Sequence, residues 1–307
     1  MNPFFISCDW GTSSFRLSLI NTNKLEIIHS LTDSQLGFGQ QSAGKEDYIR
    51  LLDEKIELLC RKAQLDTTPL CILSGMASSS IGIKNLPYAQ LPLAMKRFEI
   101  PYEKLESLSS DVFMFSGLCT DIDVMRGEEV QVLGAYDENS SKENQLLILP
   151  GTHSKHVLIQ KKQLTTFTTY MTGELFALLQ NYSILKHSVQ KPESENGPDQ
   201  KVFLKGVEEG KSQLLKHLFG IRARQILQKT TPEMNYAFLS GLLIGNELYP
   251  LSDDLPDQLT LCADGNLGLL YKLALQHLFP HTKLDIISTQ KATIAGHFKL
   301  LQGLNHA

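Results

Sequence analysis

The chain opens with a continuous apolar run, "FFISCD" (residues 4–9), suited to a strand buried on both faces. "SFRLSLIN" then alternates, with Phe15, Leu17 and Leu19 on one face, as a half-buried strand does. "LEIIHSL" follows the turn-like Asn21-Thr22-Asn23 and completes a three-strand meander. The period changes in "EDYIRLLDEKIELLCRKAQ". There Ile49, Leu52, Ile56, Leu59, Cys60 and Ala63 recur at helical spacing, and Arg61 and Lys62 suit the helix C-terminus. "LCILSG" is a further buried strand. The second half repeats this order: "QLLILPG", "KHVLIQ" and "QLTTFTTY" predict strands, and "TGELFALLQNYSIL" predicts a helix with Thr172 as N-cap and Glu174 in its first turn. Two later helices, "AFLSGLLIGNEL" and "NLGLLYKLALQHLF", flank the strand "QLTLCADG". The polar tract at 190–200 reads as a surface loop.

A repeated strand-strand-strand-helix unit is an internal duplication, and it extends to residues. Gly11-Thr12-Ser13-Ser14 in "CDWGTSSFRLSLI" lies over Gly151-Thr152-His153-Ser154 in "LPGTHSKHVLI", 140 residues further on, and Leu17 and Leu19 fall on Val157 and Ile159. The boundary between the halves falls in "DENSSKEN", which gives domains at 1–137 and 138–307. In each half a strand ends, a small-residue turn follows, and the next strand returns. Glycine permits positive φ, so successive N–H groups can line a concavity that holds phosphate, with Thr and Ser hydroxyls as added donors. Alone, either turn could be no more than a hairpin. Two at matching places predict two halves that engage a polyphosphate from opposite sides.

One position breaks the symmetry: Asp9 faces Leu149. A carboxylate beside bound phosphates is suited to hydrated Mg²⁺, which takes few protein ligands; the alternative is that Asp9 caps its own turn. "MRGEEVQ" supplies Arg126, Glu128 and Glu129 just before the second turn. Phosphoryl transfer to a hydroxyl needs a carboxylate that accepts its proton, with cations spreading the charge. The same two glutamates would also suit a helix N-terminus, where they complement the dipole. "GVEEGKSQLL" lacks one residue for a P-loop, and Val207, Leu214, Leu215, Leu218 and Ile221 keep helical spacing through it, so it reads as a solvated helix.

Composition narrows the setting. With 307 residues and 42% hydrophobic content the chain can build a full core, and its length suggests two domains. A net charge of −4 without blocks of like charge gives no nucleic-acid or membrane surface. Neither a signal peptide nor an apolar run long enough to span a bilayer is found. Cys8, Cys60, Cys71, Cys119 and Cys262 are far apart and form no CxxC pair, which indicates reduced thiols in a cytoplasmic protein.

Several segments, in order, carry a resemblance: "FFISCDWGTSSFRLSLI", "GMASSSIGIKNLPYAQLPLA", "DVMRGEEVQVLGA", "LPGTHSKHVLI" and "YMTGELFALL". The chain resembles the 2-dehydro-3-deoxygalactonokinase family, within the superfamily of actin, hexokinase and the heat-shock ATPases. The resemblance implies an α/β fold of two duplicated actin-like (ribonuclease H-like) domains, each a mixed sheet with a three-strand meander flanked by helices. It implies ATP-dependent, Mg²⁺-assisted phosphorylation of a 2-keto-3-deoxy sugar acid at its terminal 6-hydroxyl. The first domain would carry the sugar and the second the nucleotide. Asp9 would hold the metal. Glu129 or Glu128 would be the base, with Glu129 favoured by a similar pair in related polyphosphate-hydrolysing enzymes, and Arg126 would complete the catalytic set. Gly11, Thr12, Ser13, Gly151, Thr152, His153, Ser154 and Lys155 would contact phosphates, and Gly241 and Gly265 the nucleoside, although glycines in helix packing look the same. The chain departs from the family pattern at Ser80, Ile83, Asn85 and His156. The arginine expected at position 80 would bind the substrate carboxylate, which leaves Lys84, Arg16 or Arg126 for that work. A homodimer is compatible with the sequence. Two other readings stay open: a polyphosphate or nucleotide phosphatase of the same fold, and an ATP-gated binding protein without turnover.

Overall fold

The computed structural model describes residues 3–39, 44–106, 108–139, 142–192, 199–253 and 258–304. In chain order the elements are β1 (Phe4–Trp10), β2 (Phe15–Asn21), β3 (Ile27–Asp33), α1 (Lys45–Lys62), β4 (Cys71–Gly75), β5 (Ala89–Gln90), β6 (Leu93–Ala94), β7 (Tyr102–Leu105), β8 (Val112–Phe115), β9 (Leu118–Cys119), β10 (Val124–Met125) and α2 (Glu128–Ala135). There follow β11 (Asn144–Leu149), β12 (Ser154–Gln160), β13 (Gln163–Tyr170), α3 (Thr172–Tyr182), α4 (Gln200–Gly210), α5 (Leu214–Gln228), α6 (Pro232–Leu248), β14 (Gln258–Cys262), α7 (Gly265–Leu278), β15 (Leu284–Ile287) and α8 (Thr289–Leu304). They divide into two compact units. The first is Met1–Ser140 with Lys162–Thr166 and Thr289–Ala307; the second is Ser141–Lys161 with Phe167–Ser288. This corrects the expected split at 137/138. The crossing comes slightly later, and the C-terminal helix returns to the first unit.

The first unit's sheet runs β3-β2-β1-β4-β8-β7, with β4 parallel to β1 and β8 parallel to β4. The two-residue alternation of β1 sends Ile6, Cys8 and Trp10 into one core with Leu17, Leu19 and, from α1, Leu52, Ile56 and Leu59. Phe5, Ser7 and Asp9 take the opposite face. Phe5 meets Phe298 of α8 there at 6.0 Å between ring centroids. Ser7 Oγ lies 2.7 Å from His297 Nδ1, and His297 Nε2 lies 2.9 Å from Ser74 Oγ. Helices α2 and α8 meet backbone to backbone, since a Cβ on Gly134 would stand 1.8 Å from Ala292 O and one on Gly296 2.0 Å from Val130 O. Lys299 Nζ donates to the carbonyls of Leu133 and Tyr136, closing the end of α2.

In the second unit the strands run β13-β12-β11-β14-β15, with β14 parallel to β11 and β15 parallel to β14. This is the order β3-β2-β1-β4-β8 over again, the duplicated actin-like arrangement. The repeat is out of step by one residue at the hairpin: Asp9 pairs with Arg16 and Trp10 with Phe15, whereas Leu149 pairs with Lys155. An ungapped offset of 140 would put Leu149 opposite His156. Leu149 and Lys155 enclose five residues where Asp9 and Arg16 enclose six, so the second turn is one residue shorter at the equivalent position.

Three local expectations change. Thr172 is the first residue of α3 and not its cap; Met171 holds that position. The helix expected to run through "GVEEGKSQLL" breaks into α4 and α5, because Gln213 adopts φ +52°. Its apolar residues are also not uniformly solvated, since Phe203 and Val207 are fully buried. Gly241 sits in the seam between α4 and α6, where a Cβ would lie 2.0 Å from Phe203 O. Gly206, Gly210 and Gly245 line the same seam, so helix packing accounts for Gly241 and no space for a nucleoside adjoins that contact. The tract at 190–200 lies largely outside the described residues.

Candidate active site

Three chain segments meet backbone to backbone at the C-terminal end of β1. Gly75 has φ +95°, and a Cβ there would lie 2.6 Å from Trp10 O. Gly127 has φ +105°, and its Cβ would lie 3.3 Å from Gly75 Cα. Only glycine accepts such φ values beside such close neighbours. Gly127 is the N-cap of α2, so Glu128 and Glu129 open a helix at this junction. The helix-terminus reading of the pair holds.

Asp9 is the next-to-last residue of β1, with its side chain 20% exposed. Burial pushes its carboxyl above the ordinary carboxylate range; Arg16 pulls it down and the charge of Glu128 adds to the rise. Asp9 and Glu128 therefore share one electrostatic neighbourhood. Arg16 Nη1 stands 3.4 Å from Asp9 Oδ2.

The two glutamates differ. Glu128 is half-buried, and its Oε2 accepts from Arg126 N at 3.1 Å. Glu129 is fully buried, with Oε2 accepting from Gly127 N at 2.6 Å and Oε1 without a partner. Burial first, then the charge of Glu128, pushes its carboxyl up to about 8. Glu129 is thus the enclosed member of the pair and Glu128 the more accessible one. Arg126 is also committed internally. Its guanidinium donates to Ser78 O, to Ser78 Oγ at 2.6 Å and to Leu86 O at 3.3 Å, and it stacks 4.2 Å from the Tyr88 ring centre. It clamps the segment after β4. Of the other cations considered for a substrate carboxylate, Lys84 is paired with Glu103 and Arg16 is half exposed beside Asp9. Ser80 and Asn85 are exposed, while Ile83 belongs to the core.

The first loop leaves Thr12 and Ser13 exposed while its carbonyls are held from behind. Phe38 N donates to Gly11 O at 3.2 Å and Gly39 N to Thr12 O at 2.9 Å. Gly37 is needed there, since a Cβ would lie 2.3 Å from Thr12 O. The second loop is braced alike: Glu174 N donates to Thr152 O at 2.9 Å, and a Cβ on Gly173 would lie 2.4 Å from Gly151 O. The expected basis for the two nests is corrected. Neither Gly11 nor Gly151 has positive φ; among the described glycines only Gly75, Gly127 and Gly265 do. The small residues leave the loop's outer face open. Thr152 and His153 are exposed, and His153 Nε2 pairs with Glu174 Oε2. Ser154 and Lys155 are already buried strand residues, with Ser154 Oγ 2.9 Å from Tyr271 OH. Gly265 opens α7 at φ +62° with nothing within 4 Å of where a Cβ would stand.

Sequence reasoning missed three contributors. Glu247 is a buried carboxylate in the apolar run of α6, and His297 is a buried imidazole in α8. A lone polar residue inside an apolar helix was the available signal. The brace at Gly37 was the third; its counterpart at Gly173 shows that the repeat extends beyond the turns.

Comparison with known proteins shows the family. The family model described as 2-keto-3-deoxy-galactonokinase matches residues 9–300. The 2-dehydro-3-deoxygalactonokinase of Escherichia coli (strain K12) is 32% identical over 284 residues, covering 90% of each chain. A Sinorhizobium meliloti crystal structure assigned as a 2-dehydro-3-deoxygalactonokinase protein superposes with a TM-score of 0.84 at 28% identity, covering 98% of this chain and 99% of that one. Component A of the Acidaminococcus fermentans (R)-2-hydroxyglutaryl-CoA dehydratase, at 9% identity and a TM-score of 0.53, shares the fold alone. The chain belongs to the 2-keto-3-deoxy-galactonokinase family.

Proposed function

We propose that the protein transfers the γ-phosphoryl group of ATP to the terminal 6-hydroxyl of 2-dehydro-3-deoxy-D-galactonate or a close 2-keto-3-deoxy sugar acid. The observation that carries this reading is the family match across residues 9–300. The chain is a sugar-acid kinase, and the phosphatase alternative is not favoured.

The acceptor oxygen forms a bond to the γ-phosphorus as the bond to the β–γ bridging oxygen breaks, and the hydroxyl proton passes to a carboxylate. Glu128 is our candidate for that carboxylate, because it is the accessible member of its pair. Glu129 lies beneath it as a buried acid. Arg126 acts by clamping Ser78, Leu86 and Tyr88 in place. Thr12 and Ser13 of the first loop, and Gly151, Thr152 and His153 of the second, offer backbone N–H, hydroxyl and imidazole donors to phosphate oxygens. Gly265 leaves open backbone for a nucleoside.

Asp9 is a fitting ligand for hydrated Mg²⁺, since a carboxylate whose charge is disfavoured by burial and by neighbouring Glu128 is relieved by a divalent cation. When bound, such an ion would neutralise charge on the phosphates. Among the described residues no cluster of three or more His, Cys, Asp or Glu that could hold a metal ion is found.

A turnover screen of 2-keto-3-deoxy acids with ATP tests the reading. Acceptor-dependent ADP release supports it; phosphate release indifferent to acceptor overturns it in favour of a hydrolase.

A further inference from the structure

The second unit carries a buried polar network that the chemistry above does not use. Its hub is Glu247, near the C-terminal end of α6 and 2% exposed. Glu247 Oε1 accepts from His156 Nε2 at 2.9 Å. Its Oε2 accepts from Tyr271 OH at 2.6 Å and from Thr172 Oγ1. The Tyr271 hydroxyl, having given its only proton to Glu247, accepts from Ser154 Oγ at 2.9 Å. His156 stacks against Tyr170 at 4.6 Å, and its Nδ1 is buried without a partner.

The partners are not scattered. Ser154 and His156 begin the strand that leaves the loop 151–153. Thr172 begins α3, whose next two residues brace that loop: Gly173 lies against Gly151 O, and Glu174 N donates to Thr152 O. Tyr271 belongs to α7, the helix that Gly265 opens. One carboxylate thus ties together the exit of the second loop, the helix behind it and the helix carrying the open glycine. Burying a carboxylate is costly unless it is well supplied with donors, and the three donors on Glu247 tie their elements to one arrangement.

We infer that Glu247 is a positioning residue for nucleotide binding: through Thr172, Tyr271–Ser154 and His156 it fixes the loop 151–153 and the start of α7 in the geometry that accepts ATP phosphates. This rests on the reading above that the second loop engages the nucleotide.

The test uses the full-length enzyme with Glu247→Gln and Tyr271→Phe, the second deleting a single hydroxyl should the first fold poorly. The KM for ATP should rise about tenfold or more while the KM for the sugar acid stays within about twofold, a split that a general loss of packing would not produce. Equal changes in both KM values, or a lowered Tm with unaltered kinetics, overturn the inference. Amide hydrogen exchange on the wild-type enzyme with a non-hydrolysable ATP analogue separates the two levels. If residues 151–153 are protected yet neither variant alters the KM for ATP, the positioning role fails and the loop reading stands. If those amides are not protected, the loop reading fails and the positioning role falls with it.

Discussion

Asp9 and Arg16 stand directly opposite each other across the first hairpin, one on each strand, with Nη1 3.4 Å from Oδ2. The aspartate is held above its ordinary range by burial and by Glu128, and Arg16 is the group that opposes this rise. Substituting Arg16→Ala removes the downward pull, so the acidic limb of kcat/KM should move to higher pH. A pH–rate profile unchanged in position would dissociate that limb from Asp9.

Asp9→Asn should lower kcat by about a hundredfold or more with the fold intact, because stabilising charge at the transferring phosphoryl group is a large contribution. Steady-state kinetics with circular dichroism as folding control provide the check. Activity within about threefold of wild type would remove Asp9 from the mechanism.

The neighbouring glutamates should separate by kinetics and by stability. Glu128→Gln should lower kcat with little change in KM, as expected for a group that acts only while the proton leaves. Glu129 should show itself in stability. Its carboxyl is raised to about 8 in the folded protein from 4.5, so its contribution is complete below about pH 4.5 and is lost as pH rises toward 8. His297 has the opposite sign: burial lowers it to about 3 from 6.5, so its contribution is complete above about pH 6.5 and is lost as pH falls. Between about pH 4.5 and 6.5 the two slopes oppose each other, and above 6.5 Glu129 acts alone. Chemical denaturation of Glu129→Gln against wild type should show the loss of a decline of at most about 2 kcal/mol between pH 6.5 and 8. Parallel curves for the two proteins across that window would contradict the burial-raised acid.

Arg126→Gln should destabilise the first unit by about 2–3 kcal/mol, since the carbonyls of Ser78 and Leu86 lose a charged donor. Arg126→Lys should restore little of this, because one ammonium cannot reproduce a fork that reaches both carbonyls while stacking on Tyr88. Thermal denaturation of the two variants distinguishes this clamp from a substrate-binding arginine, which would raise the KM for the acid and leave Tm unchanged.

The parts of the fold set by local periodicity were legible. Alternation in "SFRLSLIN" and helical spacing from Ile49 to Ala63 both match the structure, and the duplicated turns located two loops. What escaped depends on contacts far apart in sequence. Gly241 is read correctly only together with Gly206, Gly210 and Gly245, two pairs at four-residue spacing that face each other across one seam. Ser154 follows the loop in sequence, but its hydroxyl is buried against that of Tyr271. The difference between Glu128 and Glu129 is a difference of burial on one helical turn, invisible in two adjacent identical letters.

The return of α8 to the first unit bears on how the chain is made. The sheet begun by β1 presents Ser7 and Ser74 to an imidazole at position 297, and the packing surface of α2 waits for Gly296. Apart from residues 162–166, the second unit is a continuous stretch from 141 to 288. That stretch precedes α8 in the chain, so the usual N-terminal-first order of domain folding does not extend to the last element of the first unit. The first unit to be synthesised is the last that can close its core.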